Sequence, residues 1–161
     1  MVNASLATYL NDHLAGSVGA LDLLAHLASA PANDRKDDVL DELRADIQAD
    51  QNELEAIIAR AGVGSSLPRK AAAWMAAKIG ELKLRVDDSS GGAMRRLEGL
   101  EMVAIGIDGK LALWHVLAAN NDVPELMDID AARLIQRAVD QRARIEILRI
   151  QASRAAFSAT R

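Results

Sequence analysis

Four stretches of this chain keep a helical spacing of apolar residues without interruption, and no stretch alternates with period two. Each stretch is about 26 to 28 residues, or roughly 40 Å at 1.5 Å per residue. Helices of that length bury an apolar stripe only against other long helices, so the sequence predicts an all-α bundle. Composition points the same way. Half of the 161 residues are hydrophobic, yet Tyr9, Trp74, Trp114 and Phe157 are the only aromatics. Ala and Leu supply most of the rest, which favours helix over strand.

The helical segments are expected at residues 4–29, 36–61, 69–85, 93–119 and 130–157, within a single domain. Asn3 or Ser5 is the candidate N-cap of the first, and Asp128 or Asp130 of the last. Gly62 is a natural stop for the second, and Pro68 stands near the start of the short third segment. The connections around Pro31 and Pro124 are short, so the segments they join should form two antiparallel hairpins. The stretch from Gly62 to Gly92 between the hairpins is long enough to return along the bundle and carries the short extra helix.

Several function classes are disfavoured at this level. Lys plus Arg number 19 against 23 Asp plus Glu, a formal net charge of -4. An acidic chain has no overall basic surface for nucleic acid. There is no cysteine, which removes disulfides, thiol catalysis and cysteine metal sites. Residues Met1–Leu10 lack the basic and apolar regions of a signal peptide, and no run is expected to reach the length of a membrane span. The expected compartment is the cytoplasm.

Placing residues at 100° intervals gives the buried faces. The first helix carries Leu6, Leu10, Leu14, Leu21, Leu24 and Ala28, with His13 and Ser17 inside the stripe. The second carries Val39, Leu43, Ile47, Leu54, Ile57 and Ala61, with Asp46, Asp50 and Glu53 inside. The last carries Leu134, Ala138, Ile145, Leu148 and Ala152, with Gln141 inside and Arg142 and Arg149 at the edge. The segment 93–119 is apolar nearly all round, and a helix without a polar side needs two covers. The short helix or a second copy of the chain would supply the other one, and a homodimer is expected. Gly16, Gly19, Gly106 and Gly109 should let backbones approach closely.

The charged residues inside these stripes fall at matching heights. His13, Asp50, Glu53, Asp108, Gln141 and Arg142 share one level, and Asp46, Glu101 and Arg149 share another. Buried charges demand partners, and the expected pairs are His13 with Asp50, Glu101 with Arg149, and Asp108 with Arg142. This layer is read as a polar network that fixes helix register, or as a ligand site. The rival reading is a metal-binding protein or enzyme using His13, Asp50, Glu53 and Asp108.

Helix order and the long crossover resemble the ferritin-like superfamily over nearly the whole chain. That family binds two metal ions through Glu from two helices and Glu-x-x-His from the other two. None of His13, His26 or His115 has Glu three residues before it. The nearest match is Glu146-Ile147-Leu148-Arg149, with Arg where His would stand, so a fixed cation would occupy the metal's charge position. The chain is similar to divergent bacterial members that lack the metal motif. The resemblance therefore implies no metal, no cofactor and a non-catalytic role, structural or regulatory, through a protein partner or small ligand. The run His13-Leu14-Ala15-Gly16-Ser17 also resembles the motif of histidine-phosphotransfer domains, but it lacks their Lys and their glycine spacing.

Overall fold

The computed structural model describes residues 4–29, 38–63, 77 and 92–158. Among them lie four long helices, α1 (Ala4–Ser29), α2 (Asp38–Arg60), α3 (Ala93–Ala119) and α4 (Ala131–Phe157), and no strand. The expected helix at 69–85 falls outside the described residues, Ala77 apart.

The helix ends follow local chemistry. Gly62 adopts φ 64°, the left-handed conformation that closes α2. Its N–H donates to the Ala59 carbonyl and that of Val63 to Ile58, each at 3.1 Å. Those two bonds satisfy carbonyls that the helix end would otherwise leave open. At the start of α4 the Asp130 carboxylate accepts from the Arg133 N–H at 3.1 Å, which makes Asp130 the cap rather than Asp128. Between α3 and α4, three successive turns place Leu126 in the core.

Each helix packs against two others: α1 against α2 and α3, α4 against α2 and α3. Residue pairs across the contacts run in opposite senses. Arg133, Arg137 and Arg144 of α4 meet Glu53, Asp50 and Asp46 of α2. Arg142 and Arg149 meet Asp108 and Glu101 of α3. The described helices are therefore consistent with a four-helix bundle.

The apolar core falls into two parts. One contains Leu23, Leu24, Leu43, Ile47, Leu100, Ile107 and Ile145. The other contains Leu10, Leu14, Leu54, Ile57, Trp114, Leu117 and Leu134. The stripe of α2 is turned slightly from its expected position: Leu40 is buried and Val39 exposed. The α3 helix needs a second correction. By length and composition it could cross a membrane, with a mean hydropathy of 1.4 over its most apolar stretch, contrary to the expectation that no run would qualify. Packing on α1 and α4 buries only a third of that stretch, and Ile105 and Val116 stay exposed.

Candidate functional site

Between the two apolar parts lies a level where three helices contribute polar side chains. Asp50 of α2 is 2% exposed and Gln141 of α4 is 0% exposed. Lys110 of α3 donates to Asp50 Oδ2 at 2.5 Å and also to Gln141 Oε1. Gln141 Nε2 donates to Asp50 Oδ2 at 2.8 Å. From the opposite side Arg137 donates through Nε to Asp50 Oδ1 at 2.6 Å. Both carboxylate oxygens are thus engaged by charge-assisted or buried bonds, which are stronger than their neutral, exposed counterparts. Burial pushes the Lys110 ammonium below the usual lysine value; Asp50 opposes this by charge and hydrogen bond, and Arg137 reinforces it.

The remaining helix, α1, gives Asp50 no hydrogen bond among the described residues. From Ala15 to Ala20, α1 reads Ala-Gly-Ser-Val-Gly-Ala, and facing α3 carries Gly106 and Gly109. A Cβ on Gly16 or on Gly109 would meet nothing within 4 Å. The space left is a cavity of about 200 Å³. Its walls include Leu23, Ile47, Leu54, Met102, Leu113 and Trp114, and Asp50 and Lys110 line it too. Exposed Asp12 and half-buried His13 also border it, on the solvent side. Farther along the same contact the helices close up: a Cβ on Gly99 would lie 2.7 Å from the Leu27 side chain. Of the glycines expected to bring backbones together, Gly106 makes ordinary contact with Ala20, at 3.8 Å, and Gly16 and Gly109 border a gap, while the tight contact falls at Gly99, which was not among them. The cause is the partner residue, a full leucine at one level and small residues at the other.

The other residues singled out from the sequence separate into those that meet and those that do not. Glu101 pairs with Arg149 at 3.2 Å and Asp108 with Arg142 at 3.1 Å, both on the partly exposed side of α3 and α4. Glu146 lies between the two arginines, at 2.7 Å from Arg149 and 2.8 Å from Arg142. Those guanidiniums, Arg149 first, hold the Glu146 carboxyl at about 2. Asp46 pairs with Arg144, and Glu53 with Arg133 at 2.6 Å. The expected bond between His13 and Asp50 does not form. Lys110, Arg137 and Gln141 take the carboxylate, and the His13 ring stands edge-on to Tyr9 with centroids 4.7 Å apart. Burial lowers the His13 pKa, and Asp12 partly restores it. Among the described residues no three His, Asp or Glu side chains converge to hold a metal ion.

Lys110, Arg137 and Trp114 were not anticipated as site residues. For Lys110 a signal existed, since it stands three residues after Ile107 and four before Trp114 and so shares their buried face. Comparison with models of known protein families, with curated proteins and with solved structures finds no match.

Proposed function

We propose that this protein is a non-catalytic, ligand-binding helical bundle of the ferritin-like type, with a structural or regulatory role. The finer topology in this reading is two antiparallel hairpins joined by a long crossover, and the packing of α1 on α3 and of α2 on α4 supports it. The observation that carries the functional part is the gap at mid-bundle, a cavity of about 200 Å³ walled by aliphatic side chains and Trp114. Apolar cavities of about 150 Å³ already accept a benzene-sized guest. The occupant is therefore a small, largely apolar molecule slightly larger than benzene.

Binding is read most simply from Trp114 in a Trp74→Phe chain, where it is the only tryptophan. Titration with 2-phenylethanol or phenylacetate should change its emission saturably, and Gly16→Leu, which fills the gap from α1, should abolish the change. A response to neither probe, or one indifferent to Gly16→Leu, contradicts the reading. The reading includes a cytoplasmic homodimer joined through the outer face of α3, where Ile105 and Val116 are exposed. Sedimentation as a monomer would remove the dimer.

A further inference from the structure

The cavity is lined by two buried or largely buried hydrogen-bond donors, Lys110 and Trp114. Asp50 is a single carboxylate shared between two cations, Lys110 and Arg137, and of the two only Lys110 lines the cavity. The nearest other carboxylates of α2 are committed elsewhere, Asp46 to Arg144 and Glu53 to Arg133. An ammonium has three protons to donate, and Lys110 directs two of them at Asp50 and Gln141. One turn further along α3, the Trp114 indole N–H is buried and has no acceptor among the described residues. Trp114 and Lys110 line the same cavity, four residues apart on one helix face. That face thus carries one buried donor without an acceptor, the indole N–H, which is unfavourable, beside an ammonium with a third proton to give.

We propose that the cavity binds the carboxylate of a small apolar acid, with Lys110 and the Trp114 indole N–H as its donors; this rests on the ligand-binding reading above. The apolar body of the acid, an aromatic ring or a short aliphatic chain, lies among Leu23, Leu54, Met102 and Leu113. A single negative charge matches the one cation, Lys110, that lines the cavity. A phosphate, at about -2 near neutral pH, would exceed it, because Lys110 is the one Lys or Arg among the described residues that line the cavity. A neutral alcohol can accept from one donor through its single oxygen but brings no charge to Lys110 and no second oxygen for the other donor. The Asp12 carboxylate on the border opposes an anion, and its exposure to high-dielectric solvent weakens that repulsion.

Phenylacetate and 2-phenylethanol share a ring and differ in the head group. In the Trp74→Phe chain near neutral pH, phenylacetate should bind at least about tenfold more tightly, the scale of one charge-assisted hydrogen bond. Lys110→Met should bring the two affinities together. Should that variant fail to fold, the indole N–H resonance of Trp114 still decides: phenylacetate should move it downfield, and by more than the alcohol does, because its acceptor is charged. Equal affinity for acid and alcohol, or an indole resonance indifferent to the acid, overturns the carboxylate inference while leaving the cavity as a binding site. Binding of neither probe overturns the underlying reading as well.

Discussion

Two clusters of charge occupy α4 about two turns apart, built from the same kinds of side chain. In the first, Arg137 and Gln141 meet Asp50 and Lys110 inside the bundle, where Asp50 is 2% exposed. In the second, Arg142, Glu146 and Arg149 meet Asp108 and Glu101 at the partly exposed edge. The difference lies in what surrounds them. The inner cluster has apolar packing on both sides along the bundle and a cavity beside it, so each charge depends on its partner. The outer cluster has water as an alternative partner for every group. Similar geometry should therefore carry unequal energetic weight.

The largest expected effect follows from removing the inner carboxylate. Asp50→Ala leaves Lys110 and Arg137 facing each other in the core, and unpaired buried charge costs about 3–5 kcal/mol. Urea unfolding measures this directly, and a loss below about 1 kcal/mol, typical of a surface pair, would place Asp50 in the same class as the outer cluster. A smaller effect of opposite sign is expected opposite the cavity. Gly16→Ala meets no atom and should raise stability by up to about 1 kcal/mol through helix propensity. Gly99→Ala should not show that gain, because its new methyl must displace Leu27. Equal gains at both positions would mean that the two levels of the α1–α3 contact are alike.

The outer cluster should respond least. Arg149→Leu should leave the urea midpoint close to wild type, and Glu101→Gln combined with it should add no more than the sum of the single changes. The pH dependence has a definite sign. Because the folded-state pKa of Glu146 is depressed from 4.5 to about 2, its contribution is complete above 4.5 and is lost as pH falls towards 2. A carboxyl titration of Glu146 by NMR with its midpoint near 4.5 would show that the two arginines do not hold it.

How much of this was legible in the sequence differs between helix and site. Where a helix end lies among the described residues, at Arg60, Ala93, Ala119, Ala131 and Phe157, it falls within about one residue of where periodicity and caps place it. Such ends are marked by Gly62, Gly92 and Asp130. Asp50 was recognisable as a carboxylate inside an apolar stripe. Its partners were not, because matching heights along a bundle do not say which helix faces which. His13 shares the cavity with Asp50 yet stands against Tyr9. Arg137 lies outside the apolar stripe read for this helix, although its neighbour one turn on, Gln141, is fully buried. The glycines of α1 and α3 signal small residues, and small residues permit either close contact or empty space. Only the residue across the gap decides, leucine at Gly99 and nothing at Gly16.

The claim that the Asp50 layer is a single coupled unit has a direct measurement, a double-mutant cycle on stability with Asp50→Asn and Lys110→Met. The account predicts a coupling energy of about 2 kcal/mol, within the range measured for residues of one buried network. Each single change strands a group that the other had satisfied, so the double variant should lose less than the sum. Additivity to within about 0.5 kcal/mol, as for independent sites, would contradict the account: Lys110 and Asp50 would then be separate side chains and not one charged floor.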